Sequence, residues 1–466
     1  MRRQPSHRQS GRGALARIVV GAVAAGLCGC ARPGAPAGPK PVVQSANGSV
    51  GVVGLSLSLS ADELRMRSWV SQHHADQIAF LERVVDINSG TMNPAGVRAA
   101  GRAFGDELRA LGFDVRWIEM PPSMQRAGHL FAERRGRGRG KRLLLIGHLD
   151  TVFEGEGQRF VRVDSNLAKG AGSGDMKGGD VIILYALKAL QSIGALDGTS
   201  IIVAFTGDEE SAGDPLTVSR RDLVDAAKRS DVALAFEGGS RDNATVARRG
   251  ASSWLLHVQG RQGHSGGIFS PAAGDGAIFE AARILDAFRV QLGHEQHLTF
   301  NPGVIVGGTD VAYDTMHVTG TATSKLNIIP RAVTVSGDLR FISDEQKERT
   351  RARMREIIGA PHNLPGTSAT ITFSDEYPAM APTAANYSLL AVYDSVSRAL
   401  GYGAVVALDP GRRGAGDISF VAPYVAGLDG LGAAGSGSHT PDERVDLRSL
   451  EMQTSRAALV IYRLTR

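Results

Sequence analysis

Apolar and polar positions change period several times along the chain, and each change marks an element. From Asp62 to Ile87 apolar residues recur at helical spacing, among them Trp69, Ile78, Leu81 and Val85, as far as Asn88-Ser89-Gly90. A second helix is predicted over Ala95 to Leu111, with Gly112 as its stop. Phe113 to Glu119 alternates as a strand, and Leu130 to Arg134 and Arg142 to Ile146 read as two more. The basic run Arg135 to Lys141 between them reads as a solvated hairpin tip, since it has no aromatic residues on which a base could stack. The stretch Leu143 to Thr151, LLLIGHLDT, begins as a continuous apolar run, the pattern of a strand buried on both faces of a sheet. Ser200 to Phe205 and Val232 to Phe236 repeat that pattern, with helices over Val181 to Leu190 and about Leu216 to Lys228 between them.

Beyond Thr245 the pattern shifts. Val246 to Arg249, Ser253 to Val258, Val304 to Gly307 and Val333 to Phe341 read as strands, with helices at about Gly274 to Leu292 and Asp344 to Ile358. That succession predicts a small α+β sandwich over residues 246–361, inserted into an α/β unit made of residues 61–245 and 362–466. Helices near Tyr387 to Leu400 and Leu447 to Arg463 resume the first pattern. At 466 residues, two domains are the natural expectation.

Charge and cysteine change the picture mainly at the front. The formal net charge is +5, and Arg2, Arg3, Arg8, Arg12 and Arg17, with no acid before Cys30, account for all of it. The remainder is balanced and offers no global field for nucleic acid. Those arginines precede the apolar run Ile18 to Leu27, too short to span a bilayer, and together they read as an export signal over residues 1–30. Leu27-Cys28-Gly29-Cys30 resembles a bacterial lipoprotein box, so Cys30 is expected to carry a lipid and anchor an exported protein in the cell envelope; ordinary secretion is the alternative. Residues 31–60, rich in Pro, Gly, Ala and Ser, read as a tether, with a short strand around Val50 to Leu57. Cys28 and Cys30 are the only cysteines, which leaves the folded part without thiolate chemistry.

Chemistry gathers at strand ends. His148 and Asp150 close the first buried strand, and Asp175 stands in the glycine-rich KGAGSGDMKGGD just before a helix, where an N-cap role is the plain alternative. Glu209 and Glu210 follow the second buried strand and Glu237 the third; His439 lies in the loop GAAGSGSHT. Adjacent acids after an apolar strand are costly unless a cation offsets them, although a solvated turn is the other reading. Two imidazoles and three or four carboxylates suit two zinc ions, with one carboxylate bridging and another free to take a proton from water. No GxxxxGK[ST] or strand-following GxGxxG is present, so a phosphate loop is excluded.

GHLDT, GSGDMKGG, GDEE, FEGG and GSGSHT, in that order, resemble the metallopeptidase family of glutamate carboxypeptidase, aminoacylase and succinyl-diaminopimelate desuccinylase, over about residues 61–466. The resemblance implies a mixed-sheet α/β zinc-peptidase domain with helices on both faces, and an inserted α+β lid and dimerisation domain. It implies that His148, Asp175, Glu210, Glu237 and His439 bind two zinc ions, with Asp175 bridging. Asp150 would orient the site from behind, and Glu209 would be the general base. His264 is implied as an oxyanion donor, across a dimer interface, and Asn327 and Arg340 as holders of the substrate carboxylate. Read without the family, Arg340 is a surface charge and Asn327 a turn cap. The expected activity is cleavage of an amide next to a C-terminal carboxylate, with the glutamate carboxypeptidase branch first. The substrate would be a peptide or an N-acyl amino acid. An aminoacylase-like amidohydrolase or a non-catalytic surface binding protein are the alternatives. Asp417, where some relatives carry a serine-aspartate pair, and the basic turn 134–142 have no assigned role.

Overall fold

The computed structural model describes residues 56–138, 140–155 and 159–466. The export signal, Cys30, the tether as far as residue 55 and most of the strand expected at Val50 to Leu57 lie outside the described residues. Order begins with a capping box. The Ser60 hydroxyl accepts from the Glu63 amide, and the Glu63 carboxylate accepts from the Ser60 amide at 2.7 Å. The helical pattern from Asp62 to Ile87 forms two helices, Ala61–Gln72 and His74–Val85, rather than one. The break is at His73, whose ring stacks on Trp69 with centroids 3.9 Å apart and whose Nδ1 lies 2.8 Å from the Trp69 carbonyl oxygen.

A six-stranded mixed sheet follows, in the order Asp114–Ile118, His129–Arg134, Ile201–Thr206, Leu143–His148, Val232–Ala235, Ala426–Leu428. The first two neighbour pairs are antiparallel and the remaining three parallel. The hairpin expected between Leu130 to Arg134 and Arg142 to Ile146 does not form, because Ile201–Thr206 lies between those strands and bonds to both. The basic turn packs elsewhere, with the Gly138 amide donating to the Gly198 carbonyl and the Lys141 amide to the Leu464 carbonyl.

Strand Leu143–His148 is buried along its whole length, and alternate side chains enter different cores. Leu143 and Leu145 join Val181, Leu184 and Leu459 on one side; Leu144 and Ile146 join Leu223, Ala226 and Ile418 on the other. Period-two geometry on a strand covered by helices on both faces produces this division. The helix expected from Val181 begins earlier, at Lys177 behind N-cap Met176, so Asp175 is not the cap. The helix expected over Leu216 to Lys228 is two short ones, Leu216–Ser219 and Arg221–Ala227, separated at Arg220, whose side chain is buried.

The second sheet is antiparallel, in the order Thr299–Gly308, Ala332–Phe341, Gly250–Gly260, Thr367–Asp375. Helices Ala277–Leu292 and Asp344–Ile357 cover one face over Trp254, Leu256, Val335 and Phe341. Its fourth strand lies beyond residue 361, where the sequence pattern closes the inserted unit; Thr367–Asp375 alternates around Ala369, Ile371 and Phe373 and pairs along Gly250–Gly260. Val246 to Arg249 is not a strand, although Arg248 forms an isolated antiparallel bridge with Met380. Among the described residues no helix is long and apolar enough to cross a membrane.

Candidate metal centre

The parallel strands of the six-stranded sheet deliver their carboxyl ends to one place. His148 is the last residue of its strand and is buried. Its Nδ1 lies 3.0 Å from the backbone oxygen of Asp150, and a proton shared there leaves the Nε2 lone pair free. Nε2 is buried without a hydrogen-bond partner and faces Asp175 Oδ1 at 3.4 Å and Glu237 Oε1 at 3.9 Å. The other Asp175 oxygen, Oδ2, lies 3.3 Å from His439 Nε2, which is itself 3.0 Å from Glu210 Oε2. Asp175 therefore presents one oxygen to each of two imidazole–carboxylate groups. Donor atoms of His148, Asp175 and Glu210 lie within 4.8 Å of one another, and so do those of His148, Glu209 and Glu237. Five of these side chains come from the sheet's rim and the loop before Lys177–Ser192, whereas His439 sits on an exposed loop at φ 63°.

Crowding sets the electrostatics. Burial, then the neighbouring Glu237 charge, pushes Glu209 well above the usual carboxylate range. Burial raises Glu210 to about 8 and Glu237 to about 7. Asp175 moves the other way: burial opposes its ionisation, but hydrogen bonds with His148 and His439 hold it well down. His439 is raised to about 9, chiefly by Asp175. Carboxylates packed this closely repel one another, and a divalent cation removes the penalty. Nitrogen and carboxylate donors around an orphaned imidazole nitrogen fit a two-metal centre.

Buried contacts fix these groups from behind. Asp150 accepts from the Thr91 hydroxyl at 2.7 Å and from the backbone amides of Glu209 and Glu210 at 3.0 and 3.1 Å, tying the GDEE turn to the strand that carries His148. Glu443, which the sequence pattern did not single out, accepts from the amides of Gly172, Gly174 and Asp175 at 2.8–3.0 Å. Its carboxylate thus cradles the loop that presents Asp175. Asp417 also gains a place. It accepts from Arg220 Nε at 2.7 Å and from the Thr206 hydroxyl at 2.5 Å, while Arg220 Nη1 reaches Asp208 at 2.5 Å, all of them buried. Tyr377, just past the second sheet, donates its hydroxyl to the Glu209 carbonyl at 3.1 Å. Arg248 is buried and pairs with Asp429, with an unpartnered Nη2 4.0 Å from Glu237. An acid in uncharged surroundings, Asp417 in GAGDISF, and the position of Glu443 four residues after His439 were the available sequence signals.

The residues expected to meet the substrate are arranged differently. His264 and Asn327 are brought to each other, since Gly263–His264 pairs with Ile328–Ile329 and the Ser265 amide donates to the Asn327 carbonyl at 2.9 Å. Both are exposed, and among the described residues neither side chain bonds to the metal-centre groups. Arg340 pairs with Asp338 at 2.9 Å and lines a pocket of about 430 Å³.

Residues 144–463 match the model of Peptidase family M20/M25/M40. The chain belongs to that family. It is accordingly an enzyme of the metallopeptidase type, a hydrolase whose relatives bracket carboxypeptidase and amidohydrolase activities. It is 27% identical over 423 residues to carboxypeptidase G2 of Pseudomonas sp. (strain RS-16), covering 88% of this chain and 94% of that one. Succinyl-diaminopimelate desuccinylase of Leptothrix cholodnii is 27% identical over 308 residues, covering 63% and 77%. Among solved structures, aminopeptidase PepT from Bacillus cereus superposes with a TM-score of 0.68 at 18% identity, over 84% of this chain and 99% of that one. The YXEP protein of Bacillus subtilis, described as a dinuclear metal binding peptidase from the M20 family, gives 0.60 at 15% identity, over 85% and 100%. At those identities the solved structures speak to the fold, which they share.

Proposed function

We propose that this M20 enzyme is a zinc-dependent exopeptidase that cleaves the amide bond next to a C-terminal carboxylate, as a carboxypeptidase does. Asp175 is the observation that carries the reading, because its two oxygens face His148 and His439 at 3.4 and 3.3 Å. In this reading His148 and Glu237 would hold one zinc ion and Glu210 and His439 the other, with Asp175 available to both. Bound zinc would supply Lewis acidity to the scissile carbonyl and acidify a water. Glu209, buried beside Glu237, takes a proton from the attacking water and returns it to the leaving amine. The raised proton affinity that burial gives it suits a group that must both accept and donate. Asp150 holds the Glu209 backbone in place. Arg340 and Asn327 hold the substrate carboxylate, and His264 donates to the developing oxyanion, contributed by a second copy across a dimer interface. The exposure of His264 and Asn327 supports a role that is completed by closure or by a partner. Export and lipid attachment at Cys30 belong to the same proposal and are supported by the Arg-bearing leader.

The test is hydrolysis of C-terminally varied peptides and N-acyl amino acids, with and without chelator and with Glu209→Gln alongside. Cleavage lost in chelator, restored by zinc and absent in the variant supports the reading. Equal inertness of wild type and variant while zinc still binds would overturn it.

A further inference from the structure

The basic turn 134–142 takes no part in the chemistry above, yet it has a definite place in the fold. Strand pairing sets Arg134 opposite Ile201, and Leu143 opposite both Ile201 and Val232. Leu143, Ile201 and Val232 open the parallel strands whose other ends deliver His148, Glu209 and Glu237. Arg135 to Gly138 and Gly140 to Arg142 therefore lie on the rim opposite the metal centre, about 20 Å from it along strands of six residues. The described chain begins at the same rim. The Lys141 amide donates to the Leu464 carbonyl, at the end of the final helix. One residue earlier in that helix, Arg463 Nη1 donates to the Ser56 carbonyl at 3.0 Å and its Nε to Glu63 at 2.6 Å. Ser56 is the first described residue, and only residues 31–55 separate it from Cys30.

The rim carries more positive charge than its acids answer. Arg137 is exposed and Lys141 partly so, and neither side chain makes a hydrogen bond or ion pair with another described residue. Glu133 is shared by three guanidinium groups, those of Arg229 at 2.7 Å, Arg135 at 3.0 Å and Arg116 at 3.7 Å. Arg134 and Arg142 have one acid each, Asp197 and Asp231, and Asp114 near Arg135 is a further one. Cations gathered in this way attract polyanions even on a chain whose overall charge is balanced. The run also limits which polyanion fits. Its cations alternate with Gly136, Gly138 and Gly140, and it has no aromatic side chain on which a base could stack. It offers charge alone, which suits phosphate headgroups rather than nucleotides.

We infer that this rim docks on an anionic phospholipid surface through Arg135, Arg137 and Lys141, and so holds the metal centre facing away from the bilayer. The inference rests on the proposed lipid attachment at Cys30, which selects a lipid surface from among polyanions. A tether of the length and composition of residues 31–55 spans about 25–30 Å root-mean-square. A lipid at Cys30 therefore keeps the rim where the described chain begins close to the membrane, at a high effective concentration. The acyl group supplies the attachment. The basic turn supplies the orientation, because headgroup attraction acts only within about 8 Å at physiological ionic strength and rewards one face of the enzyme. Peptides in solution then reach the metal centre from the side away from the lipid.

The experiment sediments the mature chain from residue 30, with Cys30→Ser so that no lipid is attached, with phosphatidylcholine vesicles and with vesicles of phosphatidylcholine and phosphatidylglycerol in equal amounts. Partitioning should favour the anionic vesicles and weaken as salt is raised. Arg137→Gln/Lys141→Gln should reduce it about 10- to 30-fold, the worth of two basic residues near such a surface. Neither side chain bonds to another described residue, so their replacement leaves the fold intact. Arg289→Gln/Arg355→Gln removes the same charge from exposed positions on the helices over the second sheet and should change it no more than about twofold. The folded part has no cysteine, so single labels report the face that docks. A fluorophore at Asp197→Cys should be reached by a lipid-borne quencher, and one at Asp442→Cys, three residues after His439, should not. Equal binding to both vesicles, equal loss in the two double variants, or stronger quenching at position 442 overturns the inference. Tighter binding of a single-stranded oligonucleotide than of the anionic vesicles overturns it too. The mass of the mature protein reads lipid at Cys30 separately. Its absence defeats the attachment reading alone, and the docking then stands or falls on the vesicle results.

Discussion

Around the six-stranded sheet His148, Asp175, Glu209, Glu210 and Glu237 stand on strand ends and turns tied down by buried contacts, whereas His264 and Asn327 sit at the surface, on and next to a separate two-residue ladder outside the second sheet. The first region commits Asp150, Asp208, Arg220, Asp417 and Glu443 to holding other groups still. The second commits almost nothing beyond the backbone pairing that joins Gly263–His264 to Ile328–Ile329. A centre that must keep several carboxylates within a few ångströms has to be stiff, because relaxation would separate them. Groups that meet a substrate only after it arrives have no such constraint.

The contrast breaks most sharply under chelation. Removing metal should abolish turnover and lower the unfolding midpoint, since a ligand that binds only the folded state stabilises it; a scan with and without chelator reads both. Next, Glu209→Gln should cut kcat by about 10²- to 10⁴-fold while metal content stays at the wild-type level. Retention of more than a tenth of wild-type kcat would remove Glu209 from its role. Arg220→Met would leave Asp208 and Asp417 buried without their cation, at a cost of about 3–5 kcal/mol in denaturant unfolding. Glu443→Gln keeps the shape of the cradle but gives up its charge, and should weaken metal binding about 10- to 100-fold with little loss of fold. Competition with a coloured chelator measures that. At the small end, His264→Ala and Asn327→Ala should change unfolding free energy by no more than about 0.5 kcal/mol, while lowering kcat/KM. If either destabilised the fold as Arg220→Met does, the two regions would not differ as argued.

What could be read from the chain followed from how local each determinant is. The strand ends that carry His148, Glu209 and Glu237 were legible because continuous apolar runs stop abruptly at polar residues, and the five motifs pointed to the side chains that the structure brings together. Strand order was not legible. Nothing near Arg134 or Leu143 says that Ile201–Thr206 enters between their strands. Arg220 and Asp417 are 197 residues apart, and Gly172 and Glu443 are 271 apart, so their pairing is written in no local pattern. His73 and Arg220 each interrupt a run that periodicity alone extends. In both places a side chain's own contacts, with Trp69 or with two buried acids, override the repeat.

The six-stranded sheet takes its last strand, Ala426–Leu428, from nearly two hundred residues beyond its neighbour Val232–Ala235. His439 comes later still, and the buried helix Leu447–Leu464 then packs along Lys177–Ser192. That edge cannot close until the chain extends as far as Leu428. A nascent polypeptide stopped after Thr367–Asp375 would already hold His148, Asp175, Glu209, Glu210 and Glu237, yet lack the strand beside them, the imidazole facing them and the helix behind them. The site is thus closed by the last segments of the chain, and a product that stops short of them lacks the edge strand and the second imidazole.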